Sequence, residues 1–389
     1  MCKKTITSEY VSYGHPDKIA DQISDAILDA YLKKDKNCRT GIEVMVKDNV
    51  VVLGGEVNST ATINHEEIVR NVFKQMSFSA EHHLSPNEIK VINLIGKQSS
   101  EIHNGVDKEN GVIGAGDQGF MVGYASNETD TFMPLGHYIA KKICVFVSQM
   151  IPLYGPDTKT QVTIEYDEDN NATLKHILVS TMHQDSIENC REYITKIVIE
   201  NRMGINENIF NNYFKCNKDY VVDVNPCGEW RTGGPVSDCG VTGRKIVVDA
   251  YGGYCNVGGG AYSGKDSTKV DRSAAYMARY LAKNIVASGI CNNAKVELAY
   301  MIGVPTPSAI NIELDSNCQQ QEKIITWIRG NIDLTPKGII ERFNGSYPRY
   351  YNTAKNGHYG YDVNYNEELE KLYPWEKTDI ATNIKLFLS

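Results

Sequence analysis

Residues 228–273 read GEWRTGGPVSDCGVTGRKIVVDAYGGYCNVGGGAYSGKDSTKVDRS, and this stretch constrains the chain more than any other. Glycines are packed between Arg231, Arg244, Lys245, Lys265, Lys269 and Arg272, with Asp238, Asp249, Asp266 and Asp271 interleaved. Glycine lets backbone approach a ligand closely and adopt positive φ. Cations beside exposed backbone N–H groups make a site for a polyanion. Acids beside those cations can hold a divalent metal or an ammonium group. Any one of these residues also fits a glycine-rich turn with surface charge. Their density over one stretch favours a polyphosphate site that also carries metal.

The remaining 343 or so residues must fold around that stretch, and composition says how. The chain has 389 residues, 41% of them hydrophobic, which is enough for a sizeable core in about two or three domains. Net charge is −8 and the pI is about 5.7, so no broad basic field points to nucleic acid. The cations are concentrated instead, which suits a small anion. Ten cysteines are scattered without a C-x-x-C pair or a zinc-type spacing, as expected of reduced thiols in a cytoplasmic protein. The N-terminus leads into no apolar segment of signal-peptide length, and no run reaches the ~18 apolar residues of a membrane span.

Along the chain, Gly14-His15-Pro16-Asp17-Lys18 precedes a helical pattern through Ile19, Ile23, Ile27 and Ala30/Tyr31. Pro16 suits the first helical position, which puts His15 at the cap and Asp17 in the first turn. A helix N-terminus attracts phosphate, and an aspartate there can hold the phosphate's metal. Residues 40–60 change to a strand period around Lys47-Asp48-Asn49, with Glu43 in the first strand and Glu56 after Gly54-Gly55. Asn64 and Glu67 form a capping box for a helix from His65 to Met76. After a strand near 89–96, residues 97–108 are polar and aperiodic, the character of a loop that closes over a site. Gly114-Ala115-Gly116-Asp117-Gln118-Gly119 precedes a strand, so it is no dinucleotide fingerprint. A helix spans roughly 134–150. Pro156-Asp157-Thr158-Lys159 then leads into a strand pair over 160–182, followed by a helix over 186–202. Asp271 is placed to cap a helix that Gly289 stops, and a further strand pair and helix follow. A strand pair plus an amphipathic helix thus recurs near 19–76, 134–202 and 271–332. That predicts an α+β fold of mostly antiparallel sheets with helices on one face.

The runs GHPDKIADQISDAILD (14–29), GAGDQG (114–119), GGPVSDCGVTGRK (233–245) and GGGAYSGKDSTKVDRSAAY (258–276) together strongly resemble the S-adenosylmethionine synthetase family. The VVVLGGEV strand, the IGKQS loop and the terminal PWEKTD extend the resemblance over essentially the whole chain. It implies three similar domains in a pseudo-threefold arrangement, with chain segments 1–102, 112–230 and 231–389 interleaved in space. It implies synthesis of S-adenosylmethionine from ATP and L-methionine, then hydrolysis of tripolyphosphate to phosphate and pyrophosphate. Expected cofactors are Mg²⁺, about two ions per site, and K⁺. Expected assembly is a homodimer with active sites at its interface, paired into a homotetramer.

Position by position, the resemblance puts His15 near the C5′–O–phosphate bond, Asp17 on Mg²⁺ and Glu43 on K⁺. Glu56, Gln98, Asp117 and Lys269 match methionine-side residues, and Asp238 is shared with adenosine. Asp157, Lys159, Glu229, Trp230 and Ala261 match the ATP site, with Lys159 on phosphate. Arg244, Lys245 and Lys265 match the tripolyphosphate cations, and Asp271 a second Mg²⁺-associated acid. The chemistry asks for such a set: a neutral thioether has no proton to lose, so alignment and leaving-group stabilisation matter and a general base does not. Three departures stand out: Glu229-Trp230 for the family's usual Arg-Phe, Glu101 for a loop Asp, and Tyr262 for Phe. Two other readings are an ATP-cleaving phosphohydrolase without methionine chemistry and a non-catalytic nucleotide-binding subunit. Glu56, Gln98 and Lys269 argue against the first. His15, Asp17, Arg244, Lys245 and Lys265 argue against the second.

Overall fold

Every one of the three sheets takes a strand from a distant part of the chain. A computed structural model describes residues 3–76, 84–97, 113–216, 219–315, 318–364 and 366–389. In order, it contains β1 (Lys4–Val11), α1 (Pro16–Lys34), β2 (Arg39–Lys47), β3 (Val50–Asn58), α2 (His65–Gln75), β4 (Lys90–Asn93), β5 (Gly96–Lys97), β6 (Gly119–Ser126) and α3 (Leu135–Ser148). There follow β7 (Tyr154–Tyr166), β8 (Ala172–His183), α4 (Ile187–Ile199), β9 (Val221–Val224), β10 (Gly240–Val241), α5 (Val270–Ala287), β11 (Asn293–Tyr300), β12 (Ala309–Leu314) and α6 (Gln321–Asn331), then shorter helices.

The sheet orders are β1-β7-β8-β9, β10-β2-β3-β4 with β5 beside β3, and β12-β11-β6. Pairing is antiparallel except where β4 and β5 join β3 and β9 joins β8. One long helix packs on each sheet: α3 on β7, α1 on β2 and α5 on β6 and β11. This is the expected three-part α+β architecture. Helices α1 and α5 are buried nearly all round, because they also face the other layers.

Local signals did their work. His15 is the N-cap of α1, with Pro16 in the first turn, and Asn64 accepts the Glu67 N–H at 3.2 Å. Lys47 pairs with Val50 across a two-residue turn in which Asp48 has φ 51°. Two expectations need correction. Asp157 and Lys159 lie inside β7 rather than ahead of it: β1 pairs back only as far as Lys159, and β8 carries the strand on to Tyr154, opposite His183. Asp271 does not cap α5: Lys269 holds the cap position, and Asp271 sits in the first turn, paired with Lys265.

Candidate active site

The N-terminus of α1 is the meeting point of two strands. On one side Val11 pairs with Lys159, and the chain then turns through Ser12, whose N–H donates to Thr158 O at 2.9 Å. Gly14 passes so close to Pro156 that a Cβ would stand 2.5 Å from its carbonyl carbon. His15 thereby comes beside Asp157 and Lys159. On the other side β10 pairs with β2, Val241 opposite Met45. A Cβ on Gly240 would lie 2.1 Å from Pro16 O, so only glycine lets β10 cross the first turn of α1. The crossing brings Arg244 and Lys245 to Asp17.

Asp17 is buried. Its Oδ1 accepts the Val241 N–H at 2.9 Å, and its Oδ2 the Lys245 ammonium at 2.5 Å. Arg244 Nη1 lies 3.7 Å from Oδ1. Burial pushes this carboxyl up, but the Lys245 and Val241 hydrogen bonds outweigh it and hold the group below the usual range. His15 Nδ1 accepts the Asp17 N–H at 3.2 Å, which leaves the proton of a neutral ring on Nε2. Burial first, then Lys245 and Lys159, push the imidazole down to about 3. His15 is therefore a neutral Nε2–H donor at physiological pH.

That state is measurable. We expect ¹⁵N chemical shifts to show His15 neutral with its proton on Nε2 throughout pH 5–8, whereas a midpoint near 6.5 contradicts the assignment. The sign for stability follows. A histidine whose folded value is depressed contributes fully above its free value of 6.5, and that contribution is lost as pH falls from 6.5 toward 3.

Asp157 Oδ2 accepts the Gly234 N–H at 2.8 Å, while its buried Oδ1 has no hydrogen-bond partner among the described residues. Burial pushes its carboxyl up to about 6. An unpaired buried acceptor is costly, which marks Oδ1 as a place for a ligand donor. Lys159 is exposed, with Nζ 6.0 Å from the centre of the half-buried Trp230 ring. Trp230 Nε1–H is satisfied by Thr232 O at 2.6 Å, so the indole edge is anchored. Glu229 turns to Arg231 at 3.0 Å, which neutralises locally the charge reversal noted in the sequence. Asp238 is exposed and accepts the Cys239 N–H at 2.8 Å.

A second group gathers at the start of α5. Lys265 pairs with Asp271 at 2.5 Å and Lys269 with Asp266 at 2.7 Å. Gly41 of β2 bridges to Lys265. Glu56 lies opposite Gly41 in register, so its exposed side chain stands over the same point. The loop bearing Asp117 lies against this group: a Cβ on Gly116 would be 3.9 Å from Lys269 Cδ, and one on Gly119 3.6 Å from Asp271 Oδ1. Ala261 joins the groups, because a Cβ on Gly243 would meet its Cβ at 2.5 Å. Glu43 is exposed on the outer face of β2 and forms no ion pair among the described residues. Gln98 and Glu101 lie outside the described residues.

Asp266 was assigned no role from sequence. It accepts the Thr40 N–H at 2.8 Å and both donors of Thr268, and its carboxyl stays low although burial opposes this, because Lys269 is beside it. Its spacing of three from Lys269 at a helix start was the available signal.

Among the described residues, no three His, Cys, Asp or Glu side chains gather into a metal cage. Asp17 and Asp271 each offer a single carboxylate beside phosphate-type cations. That donor set fits Mg²⁺, which is commonly held by one or two carboxylates plus substrate phosphates. Glu43 alone is an incomplete K⁺ site, since a hard cation takes several oxygens.

Sequence comparison matches residues 3–100, 112–230 and 232–377 to the N-terminal, central and C-terminal domains of S-adenosylmethionine synthetase. An S-adenosylmethionine synthase of Borreliella afzelii is 42% identical over 99% of this chain and 97% of its own length. One from Mesoplasma florum is 40% identical over 98% of this chain and all of its own. A solved structure described as an unusual S-adenosylmethionine synthetase from Campylobacter jejuni superposes with a TM-score of 0.85. It is 34% identical and is aligned over 99% of this chain and 100% of its own. Among the described residues no helix is long and apolar enough to cross a membrane.

Proposed function

The chain belongs to the S-adenosylmethionine synthetase family and is a methionine adenosyltransferase; from that premise we propose how its residues carry the reaction. The methionine sulfur attacks C5′ of ATP. A C–S bond forms, the C5′–O bond breaks, and its electron pair leaves with the tripolyphosphate. No proton moves from the nucleophile, so the site needs donors and cations rather than a base. The observation that carries this reading is His15: a buried, neutral imidazole whose cap bond to Asp17 N–H keeps the proton on Nε2. Its Nε2–H donates to the C5′ oxygen as charge develops there. Arg244, Lys245, Lys265 and Lys159 bind the leaving polyphosphate.

Trp230 stacks on adenine, and the orphaned Asp157 Oδ1 accepts from a nucleoside donor. Asp238, Asp117, Glu56, Gln98 and Lys269 orient methionine so that its sulfur faces C5′. Asp17 and Asp271 hold Mg²⁺, which when bound neutralises phosphate charge. Lys245 and Lys265, which pair with these acids, would be free to turn to phosphate with Mg²⁺ held there. Water then cleaves one P–O–P bond of the tripolyphosphate, giving phosphate and pyrophosphate. The chain acts through segments 1–102, 112–230 and 231–389 as a homodimer, paired into a tetramer. Supporting this is the outer face of the β2–β3–β4 sheet, where exposed Met45 and Ile92 flank Val52 in register and Glu43 awaits further K⁺ ligands.

Rapid-quench analysis tests the order: S-adenosylmethionine must form before phosphate appears, and phosphate released first would contradict it. Trp230→Ala is expected to weaken ATP binding by about 1–3 kcal/mol, reading across from base–aromatic stacking. Calorimetric titration with ATP checks this, and an unchanged affinity removes Trp230 from the site.

A further inference from the structure

We infer that Asp21 and Asp25 are positioning residues for the reaction, as rungs of an aspartate ladder on α1 that holds the backbone from which the phosphate-site cations project. The inference rests on the reading of that site given above. Asp17, Asp21, Asp25 and Asp29 recur every fourth residue, so they stand on one face of α1 at about 6 Å intervals. All four are buried. Each accepts backbone N–H groups from outside the helix. Asp17 takes Val241, Asp21 takes Gly243 and Asp25 takes Gly264, each at 2.9 Å; Asp29 takes Tyr350 and Tyr351, each at 3.0 Å.

The two middle rungs grip the residues that matter. Gly243 immediately precedes Arg244 and Lys245, and Gly264 immediately precedes Lys265. Gly243 has φ +80° and abuts Ala261, so its turn is trapped between α1 and the ATP-side loop. Asp21 Oδ1 fixes that turn from below, while Lys18 Nζ, shared with Asp249 at 2.5 Å, lies 3.1 Å from its Oδ2. Asp25 also receives both arms of Arg272, at 2.7 and 2.8 Å, and Arg272 Nη1 donates to Lys265 O at 3.1 Å. Lys265 is thus held through the N–H before it and through its own carbonyl. Packing alone gives no reason for buried carboxylates here, because they are costly unless paired and apolar side chains are not. Their directional acceptance of N–H groups does: an error of about 1 Å in a cation's placement costs on the order of 10²-fold in rate.

The test is Asp21→Ala, assayed per folded molecule alongside Asp21→Asn and the wild-type chain. For the alanine variant we expect kcat to fall about 10²-fold with KM for methionine within about threefold. Asp21→Asn keeps an oxygen for Gly243 N–H and is expected to recover most of kcat. A lowered Tm with unchanged kcat, or an asparagine variant as slow as the alanine one, overturns the inference. Should Asp21→Ala fail to fold, Gly243→Ala displaces the same turn without touching α1, and normal kcat there overturns it equally. Wild-type turnover separates the two levels. An inactive wild type removes the site reading and the inference with it, while an active wild type with unimpaired variants removes the ladder's role alone.

Discussion

Lys265→Ala is expected to lower turnover by about 10²–10³-fold, the usual cost of losing one donor aimed at developing charge. Its melting temperature should stay within about 3 °C of the parent, because a partly exposed ion pair contributes little. The separation follows from how the residue is held. Its backbone is bridged to Gly41, and its carbonyl is held by Arg272, so the side chain is not needed to fix the loop. The Nζ rests on Asp271 at 2.5 Å, with the side chain about a quarter exposed. Removing it leaves Asp271, whose side chain is 12% exposed, in the first turn of α5, where the free N–H groups of the helix start favour a carboxylate. Steady-state kinetics and thermal unfolding of the same preparation check this. Parallel losses of activity and stability would contradict a role in leaving-group stabilisation.

Glu376→Ala should do the reverse. Glu376 lies in the terminal PWEKTD run and is completely buried. It accepts from Arg279 at 3.0 and 3.1 Å and from Lys283 at 2.7 Å, both buried on α5. Removing one partner of a buried ion cluster strands the others, at a cost of about 3–5 kcal/mol. Burial pushes the Glu376 carboxyl up, but Arg279 and Lys283 outweigh it and hold it low. With a depressed folded value, its contribution is present above the free value of 4.5 and is lost as pH falls below that. Denaturant unfolding near neutral pH should show the loss. Turnover per folded molecule should change by less than about twofold, because Arg279 lies about 12 Å along α5 from Asp271. A variant as stable as the parent would contradict the cluster's role.

These two residues show what could be read ahead of the structure. Lys265 was legible because glycines and alternating charges mark a polyanion site in any fold. Glu376 was visible only as part of a resemblance, since a glutamate near a chain end reads as solvated until Arg279 and Lys283 are seen beside it. Caps and turns were legible for the same local reason: His15, Pro16 and Asn64 act within a few residues of themselves. Sheet membership was not. The strand after Gly119 was legible, but nothing local says which distant strand β1, β6 or β10 will join, nor that β8 reaches back to Tyr154 and so places Asp157 inside β7. The aspartate ladder hid in plain spacing, because charges four apart on a helix ordinarily mark a solvated face. Asp271 looked like a cap because aspartate favours helix starts; the ammonium of Lys265 competed for it and won.

The central claim is that sulfur attacks C5′ and tripolyphosphate leaves. Folded protein incubated with ATP, L-methionine, Mg²⁺ and K⁺, with products identified by mass spectrometry, tests it most directly. The account predicts S-adenosylmethionine together with phosphate and pyrophosphate in equal amounts, and none of the three when methionine is withheld. ADP and phosphate without S-adenosylmethionine would contradict it.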